Sequence, residues 1–489
     1  MKRPALAAAL VLVTAFTAVP APGAAATAAR PFDFDGDGYP DLVVGAPDLT
    51  VRTALFAGGV VVLPASGRGL STSEKVITQS SRGVPGGSET GDKFGRTVAS
   101  ADFDRDGYAD LAVGQPRETV GGSVAAGAVT VVYGTAQGLD TTRSTGITAP
   151  LGPGDAGYFG EALVAGDFNA DGYPDLAVGA PSYALPDTVR PLGMVTIFPG
   201  GATGVQTRDA VVLKHQAGPD FDVSFGAELA AGDLDQDGAV DLVVGSAGVE
   251  DTGNGGYPGS VSYCLGRAGG PTGCARLFHQ QSVSDMTSLA VGNMMGTTRP
   301  EIVVGSPSPY SQSAGGLVRL ALAGRAPLAL ADVAFLSQDQ PGIPGTDEAG
   351  DHFGYSLAVG DIDRDGYDDV AIGADAEDAR AGRVTVVYGG ATGWRTTGNY
   401  TYDQDTRGIP GASEAGDLFG SSLTLLDHDR DGRLDLTIGV VGENQQSGGI
   451  TVLRGSGRGF MTTGARRISL TSLGYAYPAE SSFGATLGG

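Results

Sequence analysis

The sequence predicts an all-β fold: a seven-bladed β-propeller of repeats, its ring closed by pairing a C-terminal Phe-Gly strand with the N-terminal repeat. Three observations predict it. An acidic loop recurs seven times, short β-branched runs bounded by Gly and Pro fill the intervals, and one repeat is split between the two chain ends. The loop starts at Asp33, Asp102, Asp167, Asp233, Asn293, Asp361 and Asp427, at intervals of 69, 65, 66, 60, 68 and 66 residues. A fixed period along a chain means an array of one structural unit.

Each unit carries the same marks in the same order. Phe-Gly stands eight residues before the loop, at Phe94-Gly95, Phe159-Gly160, Phe225-Gly226, Phe353-Gly354 and Phe419-Gly420. The loop follows, then an apolar run ending in Gly, such as Leu42-Val43-Val44-Gly45 before Ala46-Pro47. Further on comes a β-branched strand, as in Val129–Tyr133 and its twin Val384–Tyr388. Runs this short with such borders are strands. Four antiparallel strands per unit, in seven units, predict a propeller. The mature N-terminus begins almost at the first acidic loop, whereas Phe483-Gly484-Ala485-Thr486-Leu487 at the C-terminus has no loop after it. Pairing Phe483–Leu487 into the blade that holds Asp33 leaves no sheet edge open.

The loop itself is a cation cage on paper. In Asp-x-Asp-x-Asp-Gly-x-x-Asp, positions 1, 3 and 5 aim oxygens at one point, Gly at position 6 turns the chain sharply, and Asp at position 9 closes the cage. The expected ligands are Asp33, Asp35, Asp37 and Asp41; Asp102, Asp104, Asp106 and Asp110; Asp167, Asn169, Asp171 and Asp175; Asp233, Asp235, Asp237 and Asp241; Asp361, Asp363, Asp365 and Asp369; and Asp427, Asp429, Asp431 and Asp435. An all-oxygen set without His or Cys favours Ca²⁺, one ion per intact loop. Without metal, two carboxylates about 4 Å apart repel by ~4 kcal/mol at an effective dielectric of about 20. The Asn293 loop has Met295 at position 3 and no Gly at position 6, so that blade is expected to fold without metal.

Residues 1–29 read as a cleaved export signal, leaving one propeller over 30–489. Lys2 and Arg3 precede the apolar run Ala5–Val19, and Ala24-Ala25-Ala26 and Thr27-Ala28-Ala29 are both suitable cleavage sequences. The run is shorter than the ~20 residues a membrane span needs. The chain is therefore expected to be secreted, extracellular and monomeric. A net charge of −24 without basic patches argues against nucleic acid as partner. Cys264 and Cys274 flank a Gly/Pro-rich stretch, which in an exported chain predicts a disulfide across a hairpin; this bridge could offset the metal-free blade five.

Phe-Gly, the acidic loop and Gly-Ala-Pro together resemble the FG-GAP repeat of the integrin α-subunit propeller. The resemblance implies Ca²⁺ in hairpin loops on one face and partner contacts on the other. The sequence has no Arg-Gly-Asp, no leg domain and no separate catalytic domain. The expected function is a secreted, calcium-binding, non-catalytic module for an extracellular protein or glycan. The alternative is a calcium-dependent extracellular enzyme, of polysaccharide lyase or esterase type, on the same scaffold. Candidate contact loops are the three Gly-Val/Ile-Pro-Gly segments with paired acids Glu89/Asp92, Glu348/Asp351 and Glu414/Asp417; the same acids could instead cap turns or bridge blades. His428 is expected to be exposed within its loop, His352 to be structural, and Trp394 to pack rather than to offer a sugar platform. His215 and His279 are scattered elsewhere in the sequence.

Overall fold

The computed structural model describes residues 28–152, 157–184, 192–214, 224–247, 259–279, 283–285, 288–296, 299–309, 315–322, 332–475 and 480–488. Nearly all of the expected export signal, and His215, lie outside the described residues.

Among the described residues there are seven four-stranded antiparallel sheets and one small two-stranded sheet of Val283–Asp285 and Ser308–Pro309. The innermost strands are Thr486–Gly488, Thr97–Ala101, Ala162–Gly166, Phe225–Gly232, Ser288–Gly292, Phe353–Gly360 and Phe419–Leu426. Each touches the next, and the last touches the first, so the sheets are the blades of a closed seven-bladed ring. The closing strand is the C-terminal one. Leu487 pairs with Val44 and Thr486 with Gly45, antiparallel, as the split repeat predicts.

The junctions between blades explain the repeat's letters. Seven apolar clusters lie between neighbouring blades; the first joins Val43, Val60 and Ile77 of blade one to Phe94, Leu111 and Val113 at blade two. Phe94, Phe159, Phe225, Phe353, Phe419 and Phe483 are all fully buried, each contributing ~1.5–3 kcal/mol of burial. The Gly after each Phe has φ near +90°, and a β-carbon on Gly95 would stand 2.5 Å from the Gly59 carbonyl of the preceding blade. The Gly of the Gly-Ala-Pro mark meets the Phe-Gly of the following blade: a β-carbon on Gly114 would stand 2.2 Å from the Gly160 carbonyl. The two marks are thus the two sides of one close backbone crossing, repeated around the ring.

Cys264 and Cys274 are bonded across the hairpin between Ser260–Cys264 and Ala275–His279 in blade four. Cys264 packs in the apolar cluster shared with blade three, among Phe168, Val195 and Phe225. Among the described residues the bridge therefore packs at the junction of blades three and four, on the side away from blade five. Two four-residue helical turns, Glu377–Arg380 and Glu443–Gln446, contain left-handed residues. Their first residues are buried glutamates.

Candidate functional site

The loops join the innermost strand to the second in blades two to seven, and in blade one the Asp33 loop leads into the second strand, Leu42–Ala46, so all lie at one end of the ring. The Gly at position 6 is left-handed as expected, with φ of 94° at Gly107 and 89° at Gly172. Position 4 is left-handed too, although Arg105, Ala170, Gln236, Arg364 and Arg430 occupy it. Two such reversals bend the loop around its own carboxylates. In blade two, Asp102 Oδ1 accepts the Asp106 N–H (3.0 Å), its Oδ2 accepts the Gly107 N–H (3.1 Å), and Asp106 accepts the Tyr108 N–H (3.1 Å). The loops at Asp167, Asp233, Asp361 and Asp427 repeat the two bonds to the first acid.

In at least four loops, three carboxylates bring one oxygen each within 4.8 Å of one another: Asp33, Asp35 and Asp37; Asp102, Asp104 and Asp110; Asp233, Asp235 and Asp241; Asp361, Asp363 and Asp365. Asp33 Oδ1 and Asp363 Oδ1 are buried without a hydrogen-bond partner among the described residues. Orphaned carboxylate oxygens in an all-oxygen cluster are what a hard divalent cation satisfies. The donor set fits such an ion. In the third loop the amide of Asn169 donates to Asp175 (3.1 Å) and can present its oxygen by rotating.

Position 9 does more than the sequence reading assigned to it. Asp110 is fully buried, and its two oxygens accept the N–H groups of Phe103 (2.9 Å) and Gly134 (2.9 Å). Gly134 follows the third strand, so this side chain ties the loop to the outer part of its blade. Asp175, Asp241 and Asp369 do the same with Gly200, Gly266 and Gly389. Burial, the largest cause, pushes Asp110 up to about 8, and Asp41, Asp175 and Asp369 up to about 7. Blade five supplies a natural control. Its loop has lost the acids at positions 1, 3 and 5 but keeps Glu301 at position 9, fully buried and accepting the Met294 N–H at 2.8 Å.

Position 2 faces the core in every loop: Phe34, Phe103, Phe168, Leu234, Met294, Ile362 and His428 are all buried. His428 is therefore only 1% exposed, contrary to expectation. Its Nδ1 lies 2.8 Å from the Pro40 carbonyl, and burial pushes it down to about 4. His352 lies 2.9 Å from Asp375, and Trp394 is part-buried against the junction of blades five and six; both are in packed positions. Residue His279 ends a blade-four strand, and its side chain lies outside the described residues. Arginines also stand over three loops, which the sequence reading missed. Arg143 reaches Asp104 (3.3 Å), Arg395 reaches Asp363 (2.7 Å) and Asp365, and Arg454 reaches Asp429.

At the opposite end of the innermost strands a channel cavity of about 660 Å³ opens, lined by residues of all seven blades. The second residue after Phe-Gly is a hydroxyl in five blades and bonds across the junction. Thr97, Ser288, Ser356 and Ser422 donate to the carbonyls of Gly160 (2.8 Å), Gly354 (3.0 Å), Gly420 (2.7 Å) and Gly484 (2.6 Å), and Thr486 donates to Arg96 (2.7 Å). Blades three and four break this ring, with Ala162 and Glu228. Arg96 bonds Glu161 at 3.1 Å beside it. Glu228 keeps some access to solvent through the channel, yet burial within the ring pushes its carboxyl up to about 8, with Arg96 opposing and Glu161 reinforcing the shift. Tyr355 lines the same cavity, and burial pushes its hydroxyl up. No single stretch of sequence contains this group, because its members come from different blades.

The acids of the Gly-Val/Ile-Pro-Gly loops cap turns. Asp92, Asp351 and Asp417 are buried and accept the N–H groups of Glu89 (2.6 Å), Glu348 (2.9 Å) and Glu414 (2.9 Å).

Fold and site together define a closed seven-bladed propeller with acidic hairpin loops at one end and a charged channel mouth at the other. Among known proteins, the FG-GAP repeat family matches residues 25–63, 94–132, 159–198 and 353–387. Over 226 residues the chain is 34% identical to Integrin alpha-PS2 of Drosophila melanogaster (44% of this chain, 14% of that protein). It is 32% identical to Integrin alpha-V of Gallus gallus over 226 residues (45% and 19%). Phosphatidylinositol-glycan-specific phospholipase D of Bos taurus is 35% identical over 161 residues (32% and 18%). The chain is an integrin-α-like FG-GAP propeller, and it spans less than a fifth of the length of these relatives. Among solved structures the Dos1 propeller covers 73% of this chain and 68% of that one, at TM-score 0.39 and 13% identity; the propeller assignment stands on the strand topology. No helix among the described residues is long and apolar enough to cross a membrane.

Proposed function

We propose that this chain is an exported, calcium-stabilised, non-catalytic recognition module that binds an extracellular protein or glycan. In this reading residues 1–29 direct export, residues 30–489 form one monomeric propeller, and the six intact loops each hold Ca²⁺. The cation contributes charge neutralisation and rigidity at one end. The observation that carries the reading is the separation of the two ends: the carboxylate cages cluster where the scaffold must be stiff, and Arg96, Glu161, Glu228 and Tyr355 line the cavity at the other. Similarity to integrin α-subunits supports an adhesion-like role. A glycan array and a pull-down from extracellular protein, run with calcium and with EGTA, test it. Specific retention that falls in EGTA and falls again in Arg96→Ala supports the module; equal retention by all three samples would sink it.

One observation favours the alternative, a calcium-dependent extracellular enzyme. Burial pushes the Glu228 carboxyl up to about 8, and Glu161 pairs with Arg96 in the same cavity. A carboxyl raised toward neutrality in a cavity is an arrangement general acid–base chemistry uses, and the phospholipase relatives act on a substrate. Turnover of a polysaccharide or ester that disappears in Glu228→Gln would establish this reading and overturn the non-catalytic one.

A further inference from the structure

A cluster unlike the acidic loops recurs at three blade junctions, on the Phe-Gly side of the ring. Between blades six and seven it comprises Gln404, Glu414, Asp417 and Glu443. Carboxylate oxygens of Glu414, Asp417 and Glu443 lie within 4.8 Å of one another. Gln404 leaves the outer strand of blade six, is 2% exposed, and crosses the junction so that its Nε2 donates to Glu443 Oε2 at 2.7 Å. Its Oε1 is buried and has no partner among the described residues. Arg467 reaches the other oxygen of Glu443 at 2.7 Å, which leaves the cluster acidic.

The same four roles recur between blades five and six, where Gln338 donates to Glu377 at 2.7 Å beside Asp351 and Glu348. They recur between blades one and two, where Gln79 donates to Glu118 at 2.6 Å beside Asp92 and Glu89. Gln79 and Gln338 are each 3% exposed, and in both the Oε1 is again the orphan. A buried amide oxygen left unpaired loses its hydration without compensation, and here that cost falls on one atom at three separate junctions. Rotating the amide by half a turn exchanges oxygen and nitrogen in the same envelope. The oxygen would then face the glutamate carboxylate, an arrangement that only a cation between them makes favourable.

We propose that Gln404, Glu414, Asp417 and Glu443 form a second class of divalent-cation site, of the calcium type, with copies at Gln338 and Gln79. One amide carbonyl and three carboxylates are hard oxygen donors of the kind that ion takes. The ligands come from two blades, so the ion fastens one blade to the next, whereas an acidic loop rigidifies a single hairpin. Burial and the neighbouring glutamates push Asp92 up to about 7, the repulsion that such an ion removes.

Native mass spectrometry of the full chain in calcium chloride tests this by counting ions. Asp104→Ala serves as the counting control and should lose one ion from its loop. Gln404→Leu and Glu414→Gln should each lose one ion relative to the parent chain, or bind it at least tenfold more weakly in a calcium titration. Glu414 is exposed, so its variant keeps the fold; matching melting curves in EGTA check that for both. If both variants bind the parent number of ions with parent affinity while Asp104→Ala loses one, the cluster is a hydrogen-bonded blade junction and the proposal fails.

Discussion

Replacing Asp110 by Ala separates the two tasks of position 9. The side chain accepts two N–H groups, from Phe103 and Gly134, both at 2.9 Å, and it is fully buried. Truncation leaves two buried donors unpaired at ~1–3 kcal/mol each, so the loss in EGTA should be about 2–6 kcal/mol, and in calcium the loss of the bound ion adds to it. Asp104, at position 3, shares the Asp106 N–H with Asp102 and meets the half-exposed Arg143 at 3.3 Å. Removing it in EGTA should cost under ~1 kcal/mol, because repulsion within the loop is relieved. In calcium at 100 times the dissociation constant it should also lose the ~2.7 kcal/mol of a bound ion. Urea unfolding followed by circular dichroism, in EGTA and in calcium, gives the four midpoints. If Asp110→Ala in EGTA is no less stable than Asp104→Ala in EGTA, the hydrogen-bonding role of position 9 is wrong.

Other predictions follow from the same geometry. Asp41, Asp110, Asp175 and Asp369 have folded values of about 7 to 8 against 3.8 unfolded, so their stabilising protonation is complete below the unfolded value and is lost as pH rises through the folded one. The melting temperature in EGTA should therefore fall between pH 6.5 and 8, a window in which His428 is largely neutral, and the increment from added calcium should grow; a flat or rising EGTA profile contradicts this. Gly95→Ala, which forces a β-carbon to 2.5 Å from the Gly59 carbonyl at φ +85°, should cost at least about 2 kcal/mol in urea unfolding. Arg395→Ala removes a cation from Asp363 and Asp365 and should tighten calcium at the sixth loop about fivefold, or ~1 kcal/mol, in a competition titration against a chromophoric chelator.

The ring was legible in the sequence because its marks sit at contacts every blade must make. Phe-Gly and Gly-Ala-Pro meet at one backbone crossing, so both letters recur, and the split repeat foretold that the C-terminal strand joins the blade of Asp33, where Leu487 pairs with Val44. The left-handed position 4 was not legible, since Arg105 or Gln236 there carries no glycine signature. His428 was misread as exposed, although Phe34, Phe103, Phe168, Leu234 and Ile362 at the same position already marked a core-facing site. Position 9 looked like a ligand alone, and the persistence of an acid at Glu301 in the degenerate loop was the available clue to its second role. The channel group stayed hidden because Arg96, Glu161 and Glu228 meet only when three blades stand side by side.

Anomalous diffraction from crystals grown in calcium tests the central claim, that the acidic loops are metal sites built into a propeller scaffold. The account predicts a peak inside each loop beginning at Asp33, Asp102, Asp167, Asp233, Asp361 and Asp427, and none in the loop beginning at Asn293. Bare acidic loops, or a peak of equal height at Asn293, would contradict it.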